Sequence, residues 1–503
     1  MESIHLVLNE LFKKYENNEI MKEKIKTYIC ERLPTKLEAF EQELINRNNR
    51  KEYLNKISET FITNFLNNED HSFFYIPVSN LFIVYKNFHY SIINEDEILN
   101  EIFKELRQEK ELFPWKHKIK NNIMKKIKEN YVLNHIPESE TIQKVLNIIM
   151  YSLKINKEYA KYILTIFGDN LLKSSNNIYF TSPETKKLFE NISDYCYCYL
   201  KHSRNPISNI KFKYYYHDFS SSRLLNLNNY MCFQNNDYLN VKDNILDILC
   251  VSAHYSIRFN NADNFLIKYC NDDSIKNYSF YLKNNSKKDI VQHFKNEYLE
   301  KTSDKQLFIN SNNMIFIWKK FLKEKNLPLI IFSNEFHDYL DLEIDRKTHI
   351  YYGLTSRQLN DVHIFNGFWK KYMVEDNKEQ DLKISEIVRI YNHKNPNNKL
   401  TEEYIVSIIE HFYNKELIDN KYIHGISCIL WNKRKEIEEA IYSYSKNSDI
   451  SILELYKYYC SFSKSKNFQY IVTKQYFEKY IREIIPDYYL FNEYICSEYW
   501  DIV

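Results

Sequence analysis

Apolar residues recur at helical spacing over most of the chain, and the pattern changes character in a few places. Residues 1 to about 70 read as helices. Ile4, Leu6, Leu8 and Leu11 open an amphipathic run, Pro34 interrupts, and helical spacing resumes from Lys36 to Ile45. Three short apolar runs follow: Phe73–Ile76, Leu81–Tyr85 and Phe88–Ile92, with Val78-Ser79-Asn80 and Lys86-Asn87 between them. Aromatic and β-branched residues with Asn at the breaks predict a β-meander over 73–92. Asn94-Glu95-Asp96-Glu97 then starts a helix whose acidic first turn suits the helix dipole. From Trp115 to about His202 the spacing is helical again, with Gly168-Asp169-Asn170 read as a helix end. Residues 203–245 are rich in Asn, Ser and Tyr, with a strand over Ile210–Tyr215. Helices resume to about Phe336, Arg346–Tyr352 reads as a strand, and a helix follows through Phe365, Phe368, Trp369 and Met373.

The last 120 residues carry a weak internal repeat. Ile384–Tyr391 is followed by Thr401–Ile409, and Ile452–Tyr459 by Thr473–Ile481: each time a helix ending in aromatics, then a Thr-capped helix. The first copy runs into Leu417–Ile423, two short strands about an Asp-Asn turn. Helix, helix, hairpin is the outline of a winged helix; two ordinary helical hairpins of shared composition are the alternative. The expected fold class is mainly α with small β elements (α+β) and several domains. They are an N-terminal helical region (1–70), the meander plus helix (71–112), a helical middle domain with basic segments (113–245), a second helical domain (246–375), a winged-helix-like module (376–435) and a second winged-helix-like or helical module (436–503).

Composition narrows the chemistry. The 503 residues include 44 Tyr, 32 Phe and 59 Asn but only 4 Gly and five Ala. Residues with AT-rich codons are inflated, which is a genome signature first. Gly168, Gly353, Gly367 and Gly425 are too far apart for a Walker loop, a dinucleotide fingerprint, a kinase glycine loop or a nucleophile elbow. P-loop NTPase, Rossmann dehydrogenase, protein kinase and α/β-hydrolase activities are excluded on that ground. No run approaches the ~18 apolar residues of a membrane span, and no signal peptide is read at the start. Nine scattered Cys suggest reduced thiols in a cytosolic setting. With a net charge of +2, any nucleic-acid contact must come from local patches.

Two groups have some of the residues of a metal site. Cys196, Cys198 and His202, and Cys250, His254 and Cys270, lack four-ligand zinc spacing, so no metal and no cofactor are expected. Asp341, Glu343, Asp345 and Lys347 have the look of an acid–acid–Lys nuclease strand, against a solvated charged loop as the plainer reading. No catalytic residue is assigned.

The basic stretches point further. Residues 115–128 hold Lys116, Lys118, Lys120, Lys125, Lys126 and Lys128 and no acid. Ile119, Ile123, Met124 and Ile127 fall on one helical face, so a helix docked by that stripe would present a cationic ridge to phosphates. Lys211, Lys213 and Arg223 are interleaved with Tyr214, Tyr215 and Tyr216, the cation-plus-aromatic pattern of single-strand binding. In the repeat, Thr401–Tyr413 carries Glu402, Glu403 and Glu410 and would repel a groove. The second copy, with Lys474, Lys479 and Arg482, is the better DNA contact.

The Asn/Lys/Ile/Tyr-heavy usage resembles proteins of the nucleocytoplasmic large DNA viruses, in the mimivirus-like and algal-virus groups. Leu112–Lys116, Ile136–Gln143 and Ala160–Asn170 are similar to an uncharacterised family of such viruses, over about the middle half of the chain. Leu81–Glu97 resembles the linker ahead of the motor in poxvirus-type primase–helicases. The Phe368-Trp369 helix with Ile384–Tyr391 and Thr401 onward resembles the winged-helix tail behind that motor, whose phosphate loop is absent here. The resemblance implies a non-enzymatic viral protein acting in replication, transcription or genome packaging, in the virus factory of the host cytoplasm or in the virion. Its partners would be nucleic acid and other viral proteins, with no membrane. A virion or factory protein that binds only proteins, and a divergent Mg²⁺-dependent nuclease, are the alternatives.

Overall fold

Aromatic and β-branched residues between 71 and 93 form three antiparallel strands in chain order: β1 (His71–Ile76), β2 (Leu81–Lys86) and β3 (His89–Ile93). Register pairs Tyr75 with Phe82 and Tyr85 with Tyr90. The computed structural model describes residues 2–68, 70–182, 186–201, 204–225, 240–304, 306–344, 346–376, 382–415, 417–419, 421–444 and 448–501. Among them the chain is mainly helical, with seven sheets of two or three strands. It divides into two units, residues 1–286 and 287–503.

In the first unit the sheet is buried on both faces. Phe73, Phe82 and Ile93 join one apolar cluster, and Phe74, Ile76, Ile83, Tyr85 and Tyr90 join another. Side chains alternate between faces along a strand, so with both faces covered the sequence shows a continuous apolar run instead of apolar–polar alternation.

The first cluster is closed by three helices: the end of α3 (Leu33–Leu66), α4 (Glu95–Leu106) and α5 (Lys116–Glu129). Ile62 and Phe65, Ile98, Ile102 and Leu106, and Ile119, Ile123, Met124 and Ile127 supply the helical side. Pro34 does not break the N-terminal helices. A π-turn over Tyr28–Arg32 leads into α3 and puts the proline in its first turn, where a missing N–H costs nothing. Of α3's 34 residues only Ser58, Ile62 and Phe65 are buried.

The second cluster centres on two helices, α7 (Lys157–Leu172) and α9 (Ile245–Phe259), with α6 (Ser139–Leu153) and α8 (Lys186–Leu200) beside them. The expected helix end at Gly168 is instead the middle of the α7–α9 crossing. A Cβ at 168 would sit 2.0 Å from the Ser252 carbonyl oxygen, so the glycine serves close approach and α7 runs on to a left-handed Lys173 cap. Asp169, fully buried beside it, accepts bonds from Ser256 Oγ (2.6 Å) and the Ala262 amide (2.7 Å), tying α7 to the start of α10 (Ala262–Lys268). Burial raises the Asp169 carboxyl pKa above its usual range. The helix expected to open a new domain after 245 therefore lies at the centre of the first unit. Of the strand expected over 210–215, only Ile210–Lys211 is extended, in a small sheet with Ile178–Phe180 and Ser222–Leu224.

The second unit begins with α11 (Lys287–Tyr298), α12 (Ser311–Glu324) and α13 (Ser333–Asp341), joined by an aromatic core of Phe294, Trp318, Phe321 and Phe336. α14 (Asn360–Tyr372) precedes a strand–helix–helix–hairpin arrangement that occurs twice. The first copy is Leu382–Lys383, α15 (Ile384–Lys394), α16 (Glu402–Tyr413), Leu417–Ile418 and Tyr422–Ile423. After α17 (Lys433–Tyr442), the second is Ile450–Ser451, α18 (Ile452–Ser465), α19 (Lys474–Ile484), Leu490–Phe491 and Tyr494–Ile495. In both sheets the last strand lies in the middle. Both first helices start with a glutamate at the third helical position reaching back to a backbone N–H, Glu386 to Lys383 and Glu454 to Ser451. The hairpin of the second copy belongs to the winged-helix-like alternative for 436–503, although the sequence pattern places no strands there.

With four glycines available, tight turns fall on other residues. Asn87-Phe88, Thr348-His349 and Asn492-Glu493 are consecutive left-handed pairs at hairpin tips. Among the described residues fifteen non-glycine residues have φ between +46° and +71°.

Candidate nucleic-acid interface

α5 forms where the sequence places it because its apolar residues share one face at i, i+4, i+5 and i+8. That face is buried, and the lysines divide. Lys118, Lys125, Lys126 and Lys128 are exposed, whereas Lys116 and Lys120 flank the apolar stripe and are half-buried. Lys118 donates to Asn55 Oδ1 (3.0 Å) and lies 4.2 Å from the Trp115 ring centroid. The Lys128 ammonium stands 5.9 Å from the Tyr75 ring centroid and 5.7 Å from that of Phe82, and the Lys116 ammonium 5.0 Å from that of Phe113. Lys125 reaches Glu129 at 3.9 Å, an exposed i,i+4 pair worth little. The outer face of α5 is thus a row of cations with one carboxylate at its end.

The other sequence-chosen residues do not extend this row. Lys211 and Lys213 are exposed, but Ile210 beside them packs into the cluster on the opposite face of the sheet from α5. The tyrosine triplet splits: Tyr214 is buried, Tyr215 and Tyr216 are exposed. Arg223 is 3% exposed and holds Asp263 through two bonds of 3.0 and 2.7 Å. That pairing removes it from any surface, a correction to its expected role. Its partner lies 40 residues on, which local sequence cannot reveal.

In the second unit the first of the two candidate groove-reading helices is covered. α16 lies against α12: Tyr404 stacks under Lys320 (4.4 Å), Phe412 meets Phe316 (5.1 Å), and His411 Nε2 lies 2.9 Å from the Asn312 carbonyl. Burial lowers the His411 pKa, against the Asn312 bond, which raises it. On α19, Lys474 pairs with Glu478 (3.3 Å) and Arg482 with Glu493 (3.2 Å). Lys479 lines a small pocket with Lys383 and Lys433, whose floor is the buried Lys433–Glu386 pair (2.6 Å).

The carboxylates considered for a nuclease point to separate partners. Asp341 pairs with Arg346 (2.7 Å) and Glu343 with Lys295, while Asp345 lies outside the described residues. Among the described residues no three His, Cys, Asp or Glu side chains come together as a metal site; His202 and Cys232 fall outside them. Cys196 is buried and Cys198 exposed, so those two do not face one point. Among the described residues no helix is long and apolar enough to cross a membrane.

One group was missed. Lys157, Lys161 and Arg258 line a pocket in the first unit. Lys157 and Lys161 are spaced i,i+4, which was a usable signal, but Arg258 comes from α9, about a hundred residues on. No protein-family model, curated protein or solved structure matches the chain.

Proposed function

We propose that the chain is a non-enzymatic, nucleic-acid-associated protein of a nucleocytoplasmic large DNA virus, binding phosphate backbone without sequence readout in replication, transcription or packaging. The observation that carries this reading is α5: an apolar stripe seats the helix, and Lys118, Lys125, Lys126 and Lys128 face out. Neutralising phosphates releases counterions, which favours binding irrespective of base sequence. The three-stranded sheet is read as the meander that backs this helix, and the repeated strand–helix–helix–hairpin arrangement as a pair of winged-helix modules. Because α16 is covered by α12, the first of these modules is assigned to protein contacts, while the exposed Lys474, Lys479 and Arg482 leave the second as a further phosphate contact, since exposed ion pairs such as Lys474–Glu478 are worth little.

The test is Lys125, Lys126 and Lys128 changed together to Glu, with fluorescence anisotropy of single- and double-stranded DNA against salt. Each neutralised phosphate contributes ~0.9 to the log–log salt slope on duplex, so the slope should fall by about two to three units. Equal binding by the folded variant and its parent at low salt refutes the reading. The second reading, a virion or factory scaffold that binds only proteins, would then lead. It is favoured by the helical segment 2–53, where Ile4, Val7, Leu11, Leu37, Phe40 and Leu44 are all exposed.

A further inference from the structure

We infer that the pocket framed by α6, α7, α9 and α10 binds a nucleoside phosphate. It is a cavity of about 310 Å³, at the lower end of the ~300–1,000 Å³ of small-ligand pockets, and so admits one nucleotide rather than a stretch of strand.

Its charge is one-sided. Lys157 and Lys161 lie on one face of α7, four residues apart, and Arg258 projects from the last turn of α9. Lys157 Nζ is steadied by Gln143 Oε1 at 3.0 Å. Among the described residues no carboxylate lines the cavity. Glu158, next to Lys157 in sequence, is turned to the 270–272 loop, accepting from the amides of Asn271 (2.9 Å) and Asp272 (3.1 Å). Lys157 and Arg258 are exposed and Lys161 is half-buried, so the cavity opens to solvent with three cations on its lining, and an anion entering it is attracted by all three. A phosphate accepts from an arginine fork and from lysines at once.

Aromatic rings adjoin the cations: the Arg258 guanidinium lies 5.5 Å from the Phe259 ring centroid. Phe259 packs on Phe265 (4.9 Å) and on Tyr269 (5.0 Å), and Tyr269 stands half-exposed at the rim. A planar base laid against Tyr269 would put its phosphate toward α7. Inorganic phosphate would use only the cationic half. The chemistry is shared by a free nucleotide and by the phosphorylated end of a strand. The site belongs to the layer opposite α5, so its variants and the α5 variant report separately.

Binding is measured by titration calorimetry on the full chain, with the four nucleoside monophosphates, adenosine and inorganic phosphate. At least one monophosphate should bind saturably and more tightly than adenosine or phosphate. Lys161→Met and Arg258→Gln should each weaken it about tenfold or more, as expected for a lost charge-assisted bond, and Tyr269→Ala severalfold. Arg258 and Tyr269 are exposed, so their variants remain informative should Lys161→Met fail to fold. A 5′-phosphorylated oligonucleotide that displaces the monophosphate, where its 5′-hydroxyl counterpart does not, identifies the strand end as the source; no displacement identifies the free nucleotide. The absence of saturable monophosphate binding, or affinity unchanged in Arg258→Gln and Tyr269→Ala, overturns the assignment. Phosphate binding as tightly as every monophosphate overturns it too.

Discussion

Two glycines should respond to the same substitution with opposite signs. Helix propensity alone favours Gly→Ala by ~1 kcal/mol at any helix-interior position. Gly367, exposed within α14, has nothing within 4 Å of where its Cβ would stand, so Gly367→Ala should stabilise its helix by ~0.5–1 kcal/mol. At Gly168 the new Cβ would lie 2.0 Å from the Ser252 carbonyl oxygen, 2.6 Å from its carbonyl carbon and 2.7 Å from Ser256 Cβ. Two of these are backbone atoms of α9 and cannot rotate away, so α7 and α9 must separate by roughly 1 Å or more to reach ordinary contact. Every buried residue along that crossing loses packing with them. Overpacking costs ~1–3 kcal/mol and sometimes more. Because the helix must move as a body, we expect the upper part of that range to outweigh the propensity gain, a net loss of about 2 kcal/mol. Native-state hydrogen exchange resolves the two sites, since each helix reports its own opening free energy. Peptides spanning 157–172 should exchange about 30-fold faster in Gly168→Ala, and peptides spanning 360–372 about two- to fivefold slower in Gly367→Ala. Protection of 157–172 equal to or above the parent's would refute the close-approach explanation of Gly168.

Two further outcomes are expected. His135 is half-buried, with Nδ1 2.5 Å from the Tyr90 hydroxyl, and burial lowers its pKa. Its contribution to stability is intact above the unfolded-state value near ~6.5 and is lost as pH falls through the lower folded-state value. Melting temperature should therefore drop between pH 7.5 and 5, and less steeply in His135→Gln; identical pH profiles would contradict this. Lys433→Met should destabilise the second unit by ~3–5 kcal/mol by leaving Glu386 buried without its partner, and Lys433→Met with Glu386→Gln should recover more than half of that. Urea titrations of the two variants provide the comparison, and a double variant no more stable than the single one would contradict it.

The three strands and α5 were legible because each rests on local signals: Asn at the turns, and an apolar stripe at one helical period. What those elements pack against was not. The two-sided burial of the sheet leaves no alternation to read, and the apolar run of α9 stands beyond the irregular 203–245 stretch, so it looked like the opening of another domain. Gly168 was read as a helix end because a left-handed cap is the common local use of glycine, whereas its role depends on Ser252, 84 residues away. Arg223 and the lysines of α7 show the same limit with opposite results. The arginine looked available until Asp263 was found on it, and the lysines drew no notice until Arg258 and the aromatic wall were placed beside them. The second hairpin was hidden in a Tyr-rich tail whose composition differs little from its surroundings.

The left-handed turns show how nucleotide composition reaches into backbone energetics. For residues other than glycine, that conformation costs roughly 1–2 kcal/mol, less for Asn and Asp, which form local hydrogen bonds there. Seven of the fifteen such positions are Asn, the inexpensive solution open to an AT-rich codon set. Phe88 and Thr348 have no such relief, and Thr348 is β-branched. A genome that rarely writes glycine thus leaves its protein carrying several kcal/mol of conformational debt at hairpin tips. Single-codon changes to glycine at those tips would remove it.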